Sequence, residues 1–166
     1  MSDELFSVAG QVVVVSGGSR GIGRGIAEGF ARRGAKVIIT GREAANVEQT
    51  ARDICPPGGT VRGIACDVAD PKAIERLTAQ VIQEFGHVDT LLNVAGVNRQ
   101  MLAERLSEAD YDYILGLNLK GPFLLSLAIG KHMLQRGQGN QINIVSLNNE
   151  RPLRGVMPYA VSNADL

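Results

Sequence analysis

Apolar residues along this chain follow two alternating rhythms. Short runs are β-branched and apolar at nearly every position, as a strand buried on both faces requires, and the longer stretches between them repeat every three to four residues, as one helix face requires. Gln11–Ser16, with four consecutive valines, predicts the first strand, and Ile22–Arg33 the first helix, closed by Gly34. Lys36–Thr40 predicts a second strand and Glu43–Ile54 a second helix; after the turn Pro56-Pro57-Gly58-Gly59, a third strand runs over Thr60–Cys66. Asp70 caps a helix that starts at Pro71 and ends at Phe85, and Val88–Val94 is the fourth strand. Ser107-Glu108-Ala109-Asp110 opens a long helix towards Gln135, and Gln141–Ser146 is the fifth strand. This order predicts an α/β fold, a Rossmann-type doubly wound parallel sheet with helices on both faces. No low-complexity linker divides it, so residues 1–166 are expected to be a single domain.

Composition narrows the function classes. With 166 residues, 45% of them hydrophobic and 20 glycines, there is material for one packed core. Seventeen Lys and Arg balance seventeen Asp and Glu, so the basic stripe that nucleic acid or an anionic membrane surface would demand is missing. The longest apolar stretches, Val12–Val15 and Phe123–Ile129, are far short of the roughly 20 residues of a membrane span. The acidic start Met1-Ser2-Asp3-Glu4 lacks the basic-then-apolar order of an export signal, which points to the cytoplasm. Cys55 and Cys66 fit no metal or redox spacing, and His87 and His132 read as surface or capping residues, so no metal is expected.

The first candidate chemistry lies between the first strand and first helix, in Ser16-Gly17-Gly18-Ser19-Arg20-Gly21-Ile22-Gly23. A Gly-x-x-x-Gly-x-Gly turn bends the backbone at Gly17, brings it close to a ligand at Gly21 and packs helix on strand at Gly23. Free amides at that helix start then face a pyrophosphate, where the helix dipole favours negative charge. No Gly-Lys-Ser/Thr follows, which disfavours a P-loop. The second strand ends in Thr40-Gly41-Arg42, without the carboxylate that selects a free ribose 2′-hydroxyl. Arg42, with Arg20, could pair with a 2′-phosphate, so NADP(H) is favoured over NAD(H); the alternative is that Arg42 is a solvated charge.

Further motifs on these elements make the whole chain resemble the short-chain dehydrogenase/reductase family. Asp67-Val68 after strand three looks like its adenine-contacting pair, and Asn93-Val94-Ala95-Gly96 after strand four looks like its Asn-Asn-Ala-Gly signature, with Val94 replacing the second Asn. Asn118 stands at the family's catalytic asparagine, and Ser146 and Tyr159 match its serine–tyrosine spacing. The resemblance implies a dinucleotide-dependent oxidoreductase acting on an alcohol or carbonyl, in which Tyr159 exchanges the proton and Ser146 holds the substrate oxygen, a sensible division for a phenol and a hydroxyl. It also implies a homo-oligomer, dimer or tetramer, and a longer chain: relatives continue beyond this point, so the domain is expected to be incomplete at its C-terminus, stopping after strand five and the start of the next helix. From the residues themselves, Pro122 has no N–H for the carbonyl of Asn118, which predicts a kink over 118–122 and a water at that carbonyl; a Pro tolerated near the helix surface is the alternative.

One departure matters. Where the family has a lysine four residues after its tyrosine, this chain has Asn163, which supplies no charge to lower the Tyr159 pKa. A non-catalytic dinucleotide-binding protein is therefore the rival reading. A methyl transferase would leave the Ser146 and Tyr159 spacing unexplained and lacks its carboxylate after strand two. Arg99, Asn148 and Arg151, on loops after strands four and five, are candidate substrate contacts. Ser146-Leu147-Asn148-Asn149-Glu150 is similar to the sugar-acid and polyol dehydrogenase branch, such as gluconate 5-dehydrogenases; a 3-oxoacyl reductase or a steroid-type dehydrogenase stays open.

Overall fold

The computed structural model describes residues 6–151 and 153–166; the acidic start, residues 1–4, lies outside them. Five strands, β1 (Val12–Ser16), β2 (Lys36–Gly41), β3 (Thr60–Ala65), β4 (Thr90–Asn93) and β5 (Asn140–Asn143), form one parallel sheet in the order β3-β2-β1-β4-β5. The reversal of strand order beside β1 opens a crevice at the carboxyl ends of β1 and β4, where open α/β sheets bind ligands. The expected Rossmann-type sheet is thus present.

Alternation along β1 decides which helices cover which face. Val13 and Val15 pack with Val37 and Ile39 against α1 (Gly21–Ala31) and α2 (Ala44–Ile54), whereas Val12 and Val14 pack with Ile38 and Leu91 against α3 (Pro71–Phe85) and α5 (Gly121–Arg136). All four valines are buried, and each contributes on the order of 1.5–3 kcal/mol by leaving water.

Several boundaries move from those expected. Helix α1 starts at Gly21 and ends at Ala31, and Glu43 caps α2 rather than opening it. Strands β4 and β5 are shorter than their apolar runs because pairing stops where β4 leaves the sheet: Asn93 is opposite Asn143, and one further bond, Ile144 N–H to the Asn93 carbonyl, ends the ladder. Ser146 therefore lies beyond the strand.

The long helix from residue 107 is divided. Helix α4 (Glu108–Leu115) starts at a capping box between Ser107 and Asp110, passes into a π turn over Gly116–Lys120, and continues as α5. In the π turn the Gly121 N–H reaches the carbonyl of Gly116, five residues back, immediately before Pro122. The expected irregularity at 118–122 takes this form, a wider turn in place of a straight ladder. The continuous helical stretch Glu108–Arg136 is long and apolar enough to cross a membrane, with mean hydropathy 1.3 over its most apolar 18 residues, but Leu125, Ile129 and Met133 of α5 are buried over the sheet, which accounts for its apolar character. The last helix, α6 (Met157–Ala164), carries Tyr159 and Asn163.

At the amino ends of β1 and β4, Asp89 accepts from the Val12 N–H at 2.8 Å, from His87 Nε2 at 3.1 Å and from Arg136 at 3.2 Å. His87, expected as a plain surface or capping residue, is thus paired with a carboxylate two positions away, in the turn that leads into β4.

Candidate functional site

Glycine geometry shapes the floor of the cleft. Gly17 has φ +79°, and a Cβ there would sit 2.7 Å from the backbone of Ala95, so the turn after β1 can approach the loop after β4 only without a side chain. A Cβ on Gly23 would lie 2.3 Å from the Gly17 carbonyl oxygen, so the first turn of α1 rests on the turn that precedes it. Nothing lies within 4 Å of a Cβ on Gly21, which leaves space above the helix start. Helix α1 has no side-chain cap and no acidic residue in its first turn, and among the described residues nothing accepts from the amides of Gly21, Ile22 or Gly23. These donors border a cleft of about 540 Å³, an arrangement of free amides at a helix start that suits an anion.

The remaining walls gather most of the predicted residues. Ser19, Arg20 and Ile22 line the cleft with the three glycines; Arg42 borders it after β2, Asp67 and Val68 after β3, and Asn93, Ala95 and Gly96 after β4. Asn118, Tyr159 and Asn163 close its far side. The carbonyl end of β2 is crowded: a Cβ on Gly41 would lie 2.9 Å from Val47 Cγ1 and 3.2 Å from Ser19 Oγ, and Val47 is buried. A carboxylate-bearing side chain at 41 would therefore displace its neighbours.

Cys66, at the base of this wall, is buried, and its thiol is pushed up to about 11 by burial and by Asp67 and Asp70 nearby. It is protonated and inert at neutral pH, in keeping with its reading as an ordinary thiol.

Asn118 proves to be a fastener. Its Oδ1 accepts from the Val97 N–H at 2.8 Å, and its Nδ2 donates to the Val97 carbonyl at 2.8 Å and to Ser162 Oγ at 3.2 Å. The π turn thus holds the loop after β4 and the second half of α6 in one register. Asn163 is 9% exposed, and its Nδ2 donates to the Tyr159 carbonyl at 2.7 Å, on its own helix.

Four predicted side chains lie outside the cleft. Ser146 does not line the cleft; its Oγ accepts from the Asn148 backbone and side-chain N–H groups at 3.4 Å, and among the described residues no hydrogen bond joins it to Tyr159. Arg99 pairs with Asp110 at 2.8 Å, and its guanidinium lies 4.6 Å from the centre of the Tyr113 ring. Asn148, whose Oδ1 accepts from Leu153 N–H, and the exposed Arg151 also lie outside the cleft. Two arginines that the sequence did not single out, Arg105 and Arg154, line a second hollow. With Gln100, Met101, Leu102 and Gly155 they surround about 450 Å³ where the Met101 N–H meets the Gly155 carbonyl at 2.7 Å. Only the folded chain brings the two loops together, so spacing could not have found them.

A family model described as short chain dehydrogenase matches residues 11–165. The D-threitol dehydrogenase of Mycolicibacterium smegmatis is 40% identical over 141 residues, 85% of this chain and 54% of that protein. The gluconate 5-dehydrogenase of Gluconobacter oxydans is 33% identical over 96% of this chain and 62% of its own length. The crystal structure of a metagenomic short-chain oxidoreductase in complex with NADP superposes with a TM-score of 0.91 at 35% identity, covering 96% of this chain and 73% of the other. The chain spans somewhat more than half the length of these two curated relatives. With the β3-β2-β1-β4-β5 sheet, the glycine cradle and a family match over nearly its whole length, this chain belongs to the short chain dehydrogenase family.

Proposed function

We propose that this chain forms the coenzyme-binding part of an NADP(H)-dependent oxidoreductase acting on an alcohol or carbonyl of a sugar acid or polyol. The observation that carries the reading is the uncapped start of α1, whose free amides share one cleft with Arg20 and Arg42, beside a β2 end where a side chain at 41 would crowd Val47 and Ser19. The amides suit a pyrophosphate and the two guanidinium groups a 2′-phosphate. A bound nicotinamide would supply the hydride chemistry. Tyr159, at the cleft wall, offers a hydroxyl for the accompanying proton, and Asn118 keeps α6 and the loop after β4 at the spacing this needs. For Ser146 to hold the substrate oxygen, the loop from 146 to 151 would have to turn towards the cleft. Arg105 and Arg154 in the second hollow suit an acid group on the substrate, and the relatives named for threitol and gluconate favour that class. Phe123, Leu127 and Leu134, exposed on α5, fit a homo-oligomer.

A second reading, dinucleotide binding without catalysis, is favoured by Asn163, whose amide is committed to the Tyr159 carbonyl and brings no charge to the phenol. Titration with NADPH and NADH, followed by the fluorescence of the reduced coenzyme, tests the binding, and NADPH should bind at least tenfold tighter. Neither coenzyme binding, or NADH binding tighter, would overturn the cofactor reading. Oxidation of D-gluconate and D-threitol by the protein and its Asn163→Lys variant then separates the two readings. Turnover that rises in the variant supports the enzyme; coenzyme binding with no turnover in either supports the rival.

A further inference from the structure

We propose that Tyr113, a residue of α4 outside the cleft, positions Arg42 for the 2′-phosphate and so sets the preference for NADP(H). The inference rests on the cofactor reading above and adds the residue through which Arg42 would act.

An arginine on an exposed turn is a poor phosphate receptor by itself, because its long side chain must give up rotamer freedom when the anion arrives. In this chain part of that ordering is already in place. Arg42 Nη1 donates to the Tyr113 hydroxyl oxygen at 3.4 Å, a contact between residues 71 positions apart in sequence. Among the described residues, Arg42 appears in no ion pair, so the tyrosine holds the guanidinium without neutralising it.

Tyr113 is in turn fixed from its other side. The Arg99 guanidinium lies over its ring, 4.6 Å from the centre, and Arg99 Nη1 donates to Asp110 Oδ1 at 2.8 Å. Asp110 is itself anchored by the capping box with Ser107 at the start of α4. The Ser107 hydroxyl, then the Arg99 guanidinium, hold the Asp110 carboxyl below the usual carboxylate range. The chain Ser107, Asp110, Arg99, Tyr113, Arg42 therefore runs from the loop after β4 to the end of β2. Its one uncompensated charge is the guanidinium at the cleft, since Arg99 is matched by Asp110.

Coenzyme titrations of the wild type, Tyr113→Phe, Arg42→Gln and the double variant test the idea. Phenylalanine keeps the ring under Arg99 and removes only the acceptor. Tyr113→Phe should weaken NADPH about fivefold or more, as loss of a bond that orders a charged group predicts. NADH binding should stay within about twofold. Arg42→Gln should weaken NADPH further, and the double variant should be no worse than Arg42→Gln alone, because Tyr113 acts only through Arg42. Tyr113→Phe binding NADPH like wild type while Arg42→Gln binds it weakly would overturn the role of Tyr113, as would equal losses for both coenzymes. A wild type that prefers NADH, or an Arg42→Gln variant with undiminished NADPH affinity, would instead refute the cofactor reading on which the proposal stands.

Discussion

Asn118→Ala separates a fastening role from a purely chemical one. The substitution removes one acceptor and two donated bonds: the Val97 N–H loses its partner, the Val97 carbonyl loses its partner, and Ser162 Oγ loses one of two contacts, since it still donates to the Tyr159 carbonyl at 2.9 Å. An orphaned buried amide or carbonyl costs about 1–3 kcal/mol. Val97 is half-buried while Ser162 is fully buried, so water can meet part of the lost need at Val97 but little of it at Ser162. The expected loss is then about 2–4 kcal/mol, a large share of the roughly 5–15 kcal/mol that holds a domain together. Urea unfolding measures the total, and amide exchange at Val97 localises it, because the freed N–H should lose protection selectively. Coenzyme affinity should fall too, since Val97 and Gly96 form a wall of the cleft. A loss below about 0.5 kcal/mol, with Val97 exchange unchanged, would refute the fastening role.

Two further outcomes follow from the same structure. Gly23→Ala should abolish coenzyme binding or unfold the first βα unit, because the new Cβ meets the Gly17 carbonyl 2.3 Å away; Gly25→Ala, with open space around it, is the control that should leave both unchanged, as read by thermal unfolding and coenzyme fluorescence. Asp89 makes stability depend on acid. Burial pushes its carboxyl up, but the Val12 N–H, Arg136 and His87 outweigh that and leave it below its ordinary value. A carboxyl lowered in the folded state contributes stability at neutral pH that is lost as pH falls through the ordinary carboxylate range and then the folded value. Asp89→Asn should cost about 1–3 kcal/mol at pH 7, and the gap to wild type should narrow below about pH 4; urea midpoints that differ equally at pH 7 and pH 3 would disprove it.

How far the sequence reached depended on how local each signal was. The valines of β1 and the glycines from 17 to 23 act within one turn of chain, where spacing and conformation are nearly the same information, so the sheet, the cradle and its anion-binding character were all legible. Pro122 declared the irregular turn for the same reason, as a missing N–H removes a bond four residues away in any helix. The roles of polar side chains were less accessible. Arg99 and Arg42 are both arginines on loops after strands, and nothing in sequence distance tells one from the other; folding stacks the first on Tyr113 and pairs it with Asp110, while it leaves the second facing the cleft. Asn118, Ser162 and Val97 are likewise strangers in sequence that a π turn brings to one buried point. Apolar periodicity specifies elements because it acts through neighbours along the chain. Hydrogen bonds and ion pairs are instead decided by which few polar atoms lie within about 3 Å once the backbone is closed, and only the tertiary structure sets that.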